Sequence, residues 1–185
     1  MKILITAFES FGGRESNASA AVLEKLPEQI SGCEVEKALL PVVFGKAAET
    51  VLRHPADCVF LLGEAAGRDA VTPEIRSVNL RDARIPDNDG NSPREEIILP
   101  GAPEEYRTVF PVRDIVHQMQ QEGYRIEVSE DAGRYVCNDT FFLTGMRTRV
   151  PVAFVHVPAV PGEADAFAGT VCRYVALCVG SFTGT

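Results

Sequence analysis

Cys58-Val59-Phe60-Leu61-Leu62, running at once into Gly63-Glu64-Ala65-Ala66-Gly67-Arg68, is the stretch that decides the fold. Five apolar residues without alternation describe a strand buried on both faces, as in the middle of a parallel sheet. The glycine-bearing break marks its carboxyl end. Three more strands follow outward from it. Lys2 to Phe8 is a second buried strand opening into the loop Glu9 to Glu15, Cys33 to Val43 holds another, and Pro151 to Val157 a fourth. Helices lie between them. Ser16 or Asn17 caps one that carries Ala21, Val22 and Leu26 and stops before Pro27. Lys46 to His54 is a short one ended by Pro55. Pro111 starts a third, with Ile115, Val116 and Met119 on one face and Gly123 as its left-handed stop. The last covers Ala164 to Val179. Strand following helix throughout predicts an α/β fold, a mostly parallel sheet covered on both faces, in one domain over residues 1–185.

Composition bounds the function. The chain has 185 residues, of which 45% are apolar, enough for a sizeable core. A formal charge of −8 disfavours a nucleic-acid partner, which would want a basic face. No apolar run approaches the ~20 residues of a membrane span. Met1 to Phe8 is broken by Glu9 and does not read as a signal peptide, so a cytoplasmic protein without a membrane partner is expected. The five cysteines, Cys33, Cys58, Cys137, Cys172 and Cys178, form no CxxC. Four lie in apolar, periodic surroundings and read as core fillers.

Cys137 differs. It lies in Asp131-Ala132-Gly133-Arg134-Tyr135-Val136-Cys137-Asn138, where an expected strand, Tyr124 to Glu130, meets an expected helix starting near Asn138. A thiol at a helix N-terminus is drawn toward thiolate by unpaired N–H groups and the helix dipole. The competing reading is an ordinary buried cysteine. A thiol nucleophile needs a base, and the base needs an orienting partner. Of the three histidines, His54 ends a helix and His117 faces solvent, while His156 stands in the apolar strand end Phe154-Val155-His156-Val157-Pro158. It is either a satisfied core histidine or the base, and burial demands a partner in both cases. Glu74, in Val71-Thr72-Pro73-Glu74, is either an exposed carboxylate or the group that fixes the imidazole. Sites in such sheets gather at the carboxyl ends of strands, so Phe11, Glu64, Cys137 and His156 can share one rim. Val71 to Leu80 reads as a strand or hairpin, Pro86 to Pro93 as a turn-rich excursion, and Ile97-Ile98-Leu99 as a short edge strand.

The chain resembles the cysteine-dependent type I pyroglutamyl peptidases (pyrrolidone-carboxylate peptidases). Four blocks carry the resemblance: Phe8-Glu9-Ser10-Phe11-Gly12-Gly13 with Asn17; Gly63 to Arg68 with Thr72-Pro73-Glu74 and Asn79-Leu80; Asp82-Ala83-Arg84-Ile85-Pro86-Asp87-Asn88 with Gly90; and Ala132-Gly133, Val136-Cys137-Asn138 with His156-Val157-Pro158. Their order holds from Met1 to about Pro161. The resemblance implies an α/β/α sandwich on a twisted, mixed sheet. It implies Cys137 as nucleophile, His156 as base and Glu74 as orienter, with no metal and no cofactor. It also implies a pyroglutamyl pocket walled by Phe8, Phe11, Ile85, Tyr135 and Val136, substrates with an N-terminal pyroglutamate, and a homodimer or homotetramer. The lactam edge needs a donor and an acceptor. Groups near Glu64 and the amide of Asn17, acting directly or by holding the loop, are candidates. Arg84 supports the oxyanion or braces the loop.

Several positions depart from the family pattern. Glu64 stands for a usual Gln, Val42 for Thr, Arg134-Tyr135 for a Thr-Phe pair and Asp139 for His. Ala7 and Ala66 replace glycines, and Ser10 replaces proline. Beyond Pro161 the chain is short and shows no recognisable pattern. Glu64 and Arg134 bring charge toward a site for a neutral ring, which leaves a second reading open, a catalytically altered relative that binds a small amide. A nucleotide binder built on Gly63 to Gly67 lacks the G-x-G-x-x-G spacing and a P-loop lysine.

Overall fold

The computed structural model describes residues 1–183. In chain order its elements are β1 (Lys2–Phe8), α1 (Ala18–Lys25), β2 (Gln29–Ile30), β3 (Cys33–Leu40), α2 (Lys46–Leu52), β4 (Cys58–Ala65), β5 (Thr72–Glu74), β6 (Arg76–Val78), β7 (Glu105–Arg107), α3 (Val112–Gln121), α4 (Val136–Arg147), β8 (Val152–Pro158) and α5 (Ala164–Thr183). The main sheet has six strands in the order β2-β3-β1-β4-β8-β5. Its three inner pairings, from β3 through β1 and β4 to β8, are parallel. The edge strands β2 and β5 run antiparallel to their neighbours. The apolar run Cys58 to Leu62 is thus an interior strand of a mixed sheet, as its lack of alternation predicts.

The period-two alternation of strand side chains sorts the core into two layers. Ile3, Ile5, Phe60, Leu62, Ala153, Val155 and Val157 face one way, against Val22 and Leu23 of α1, Val116 and Met119 of α3, and Phe167, Val171 and Tyr174 of α5. Leu4, Phe8, Val59, Leu61, Val152 and Phe154 face the other way, against Ala47 and Val51 of α2 and Val136 and Phe141 of α4. Gly63 and His156 continue the second series. Parity alone therefore sends His156 toward α4, the helix that carries Cys137.

Three expectations need correction, and two strands had none. Tyr124 to Glu130 is not a strand; it makes two isolated bridges, Ile126 to Val71 and Ser129 to Glu74. Ile97 to Leu99 is not an edge strand. The neighbouring bridge is Glu96 to Arg81, and the strand that pairs with β6 is β7, which the sequence reading did not find. The two-residue β2 was also missed. Helix α4 begins at Val136 rather than near Asn138, so Cys137 lies inside its first turn.

Candidate active site

The junction before α4 is held by side chains from its own first turn. Tyr135, the N-cap, has an extended backbone and gives the helix no side-chain cap. Asn138 locks the turn to the 78–80 segment. Its Oδ1 accepts the Val78 N–H at 2.8 Å, and its Nδ2 donates to the carbonyls of Val78 at 2.9 Å and Leu80 at 3.0 Å. Asp139 accepts from Arg81 Nη2 at 2.6 Å and from the Gly45 N–H at 2.8 Å. Burial pushes the Asp139 carboxyl above its ordinary range, and the Arg81 charge only partly offsets it. The sequence reading assigned no role to Asn138 or Asp139. A polar pair in the first turn of an otherwise apolar helix was the available signal.

The sulfur lies over Gly63. A Cβ placed on Gly63 would stand 3.0 Å from Cys137 Sγ and 2.7 Å from Cζ of Phe154. Gly63 is in register with His156 on β8, and Cys137 and His156 line the same cavity. His156 is buried, and its Nδ1 lies 2.7 Å from Glu74 Oε1. A carboxylate only accepts, so Nδ1 carries the proton and Nε2 is left as the acceptor. Glu74 comes from β5, two residues from the Thr72 that opposes His156. Arg68 Nη1 donates to the same Oε1 at 2.8 Å and also reaches Thr72, while its Nη2 donates to the Asp131 carbonyl at 3.0 Å. Burial works against the Glu74 carboxylate. Contacts with His156, Ser129 and Arg68 outweigh it, and the carboxyl sits below its usual range.

The thiol does not behave as its helix position alone predicts. Burial pushes Cys137 up to about 12, and the charges of Glu74 and Glu64 add to it. Arg68 and the residue's own N–H pull the other way and lose. Cys137 is half-buried by its accessible surface, yet the desolvation it suffers outweighs the pull of its helix position, which does not make a thiolate by itself. Thiolate requires that the proton move to a neighbour and leave a positive charge beside the sulfur.

Cys137 and His156 open onto a cavity of about 180 Å³, also lined by Phe8, Phe11, Asn17, Val42, Glu64, Ala132, Tyr135 and Val136. The Phe11 and Tyr135 rings lie 6.0 Å apart, and the Tyr135 hydroxyl donates to the Pro86 carbonyl at 3.0 Å. Asn17 is spent on local structure: its Oδ1 accepts from the Ser19 N–H at 3.0 Å, and its Nδ2 donates to the Glu9 carbonyl at 3.0 Å. The structure does not bring Arg84 and Ile85 to this cavity; both are exposed and neither lines it. Arg134 also lies outside, paired with Asp131 at 3.0 Å. A larger polar cleft of about 670 Å³ shares Ala132 with the cavity but holds neither Cys137 nor His156. His54 meets Glu36 and His117 is exposed, so neither reaches the site. Among the described residues no group of three or more His, Cys, Asp or Glu is placed to hold a metal ion. No described helix is long and apolar enough to cross a membrane.

A family profile described as pyroglutamyl peptidase matches residues 1–177. The chain belongs to the pyroglutamyl peptidase family. It is accordingly a hydrolase of the pyroglutamyl-peptidase I type. It is 42% identical over 178 residues to a pyrrolidone-carboxylate peptidase of Gloeobacter violaceus, covering 91% of this chain and 87% of that one. The same comparison with Thermococcus onnurineus gives 37% over 175 residues, with 89% and 86% covered. In three dimensions it resembles the pyrrolidone carboxyl peptidase of Thermus thermophilus, with a TM-score of 0.86 at 36% identity over 94% of this chain and 98% of that one. Pyroglutamyl peptidase I of Bacillus amyloliquefaciens gives a TM-score of 0.87 at 32% identity, over 96% and 95%. The family match runs past Pro161, where the sequence reading found no pattern, and takes in most of α5.

Proposed function

We propose that this pyroglutamyl peptidase cleaves the amide bond after an N-terminal pyroglutamyl residue through Cys137, His156 and Glu74 and an acyl-enzyme. The observation that carries the reading is the buried contact between His156 Nδ1 and Glu74, with the imidazole and Cys137 Sγ opening on one cavity. His156 Nε2 takes the thiol proton as Sγ bonds to the carbonyl carbon that follows the ring. The imidazolium so formed faces Glu74 and returns the proton to the leaving amine nitrogen as the C–N bond breaks. Water, deprotonated by the same nitrogen, then attacks the thioester carbonyl, and Sγ leaves with the proton. The first-turn N–H groups of α4, which have no partner within the helix, are the donors we assign to the negative charge that develops on the carbonyl oxygen.

The pocket suits a flat, neutral ring. Phe8, Phe11, Tyr135 and Val136 supply apolar walls, and Val42 adds a methyl-bearing one. Proline has a similar ring but lacks the lactam carbonyl and carries a charged nitrogen. Donors committed to that carbonyl would be left unpaired by proline, a mismatch that costs on the order of 10⁴-fold in kcat/KM. The test is paired kinetics on pyroglutamyl and prolyl amides of one leaving group, with Cys137→Ala as control. Comparable kcat/KM values, or turnover by Cys137→Ala, would reject the reading. No hydrolysis at all would leave the binding relative in its place. We extend the proposal to a cytoplasmic homodimer or homotetramer. All five cysteines are free, as suits a reducing compartment. A monomer in sedimentation at micromolar concentration would reject the oligomer.

A further inference from the structure

Glu64 is the charge that does not fit a pocket for a neutral lactam. It stands at the carboxyl end of β4, and its side chain is only 2% exposed. It borders both the Cys137 cavity and a neighbouring cavity of about 200 Å³. Its charge reaches the sulfur, since it helps to hold the Cys137 thiol up. A carboxylate buried there without a counter-ion would penalise both the thiolate and the oxyanion, and would favour a cationic substrate.

Three donors meet it. Ala18, the first residue of α1, gives its N–H to Oε2 at 2.7 Å. Arg14 contacts Oε1 through Nη1 and Oε2 through Nη2, the latter at 3.3 Å, so the guanidinium covers both oxygens. Arg14 reaches in from the loop after β1 with 44% of its side chain exposed. Among the described ion pairs Glu64 is its one partner. A pair with both members exposed would count for little, but here one member is buried, and losing its partner leaves an uncompensated charge.

We infer that Arg14 is a specificity-determining residue: by neutralising Glu64 it keeps the pocket open to a neutral lactam and closed to a cationic N-terminus. The inference rests on the proposed function. Arg14 touches no reacting atom and acts through the charge it cancels.

The experiment compares the parent chain with Arg14→Gln, Arg14→Lys and the double variant Arg14→Gln/Glu64→Gln. Each is assayed on pyroglutamyl and prolyl amides of one leaving group, with iodoacetamide alkylation of Cys137 as a second readout. One uncompensated charge at this range predicts that the pyroglutamyl-to-prolyl ratio of kcat/KM falls about ten- to a hundredfold in Arg14→Gln. Alkylation should slow in the same variant. The double variant removes the charge that Arg14 cancels, so it should recover most of the ratio and of the alkylation rate. Arg14→Lys keeps the charge without the fork and should keep most of the selectivity, which also decides the matter if Arg14→Gln fails to fold. The inference is overturned if Arg14→Gln keeps the parental ratio, if the double variant does not recover, or if Arg14→Lys loses as much as Arg14→Gln. A parent with no preference for the pyroglutamyl amide would instead reject the proposed function, so the two failures are distinguishable.

Discussion

Gly63→Ala tests the placement of the sulfur directly. Gly63 is not kept for its backbone conformation, since its φ lies outside the left-handed region. It is kept for space. A Cβ there would meet Phe154 at 2.7 and 2.9 Å and Cys137 Sγ at 3.0 Å, where carbon contacts normally settle near 3.5–4.0 Å. Phe154 cannot easily retreat. It is fully buried, with its ring 5.7 Å from Phe141, 6.4 Å from Phe8 and 4.8 Å from His156. Overpacking of this kind costs about 1–3 kcal/mol. At roughly 2–4 °C per kcal/mol for a chain of this size, the melting temperature should fall by several degrees. The larger effect is on chemistry. A shift of sulfur and imidazole near 1 Å is worth about 10²-fold. Urea denaturation should show a lower midpoint with unchanged slope, while kcat/KM on a pyroglutamyl amide falls about a hundredfold. Parental kcat/KM in Gly63→Ala would mean that the reacting group does not lie where Sγ meets Gly63, and would refute the assignment.

Four further outcomes follow from the same geometry. With the Cys137 thiol held up to about 12 by burial, reactivity at neutral pH depends on His156 taking the proton, so His156→Ala should react with iodoacetamide only as pH climbs far above 8.5; alkylation at pH 7 as fast as in the parent would contradict this. On the proposed role of Glu74, which orients and does not react, Glu74→Gln should lower kcat far more than it raises KM. The Glu74 carboxyl is held below its usual 4.5, so its contribution to stability is present above pH 4.5 and fades as pH falls through the lower folded value; in Glu74→Gln the denaturation midpoint should lose that part of its acid dependence, and an unchanged profile would remove the coupling. Asp139→Ala leaves Arg81 with Glu96 alone and frees the Gly45 N–H, and should cost about 1–3 kcal/mol of unfolding free energy; a change under about 0.5 kcal/mol would show that the pair does not anchor α4.

The interior strands were legible because burial on both faces leaves a direct trace in composition. Lys2 to Phe8 and Cys58 to Leu62 read as strands from hydrophobicity alone, and both pair on two sides. The edges were not. Residues 124–130 have a strand's composition but make only two bridges, and the three-residue β7 carries Glu105 and Arg107, which no apolar pattern would pick out. In short elements tertiary pairing decides the conformation, and propensity does not. Helix starts failed for a related reason. Asn138 looks like a cap, but its side chain is engaged by the 78–80 segment, so the helix begins earlier.

The site divides along the same physical line. His156 was named from the sequence, and the structure adds its direction from strand parity, since it faces α4 as every second residue of β8 does; Gly63, which continues the same series on β4, was read only as part of a loop. Residues that work through a partner far along the chain were named without their partners. The sequence shows Glu64 as an unwelcome charge and Arg134 as another, and treats them alike. The structure separates them. Arg134 closes on Asp131 three residues away and stays outside the cavity, whereas Glu64 is buried at its rim and is met by Arg14, 50 residues earlier. Local pairs of opposite charge cancel within the loop that carries them and leave the site unaltered. Distant pairs cancel only when the fold closes, so the pocket's neutrality is a property of the folded chain and is absent from either segment alone. That is why a Gln-to-Glu departure could look like a change of substrate, when with Arg14 in place it preserves the charge balance of the pocket.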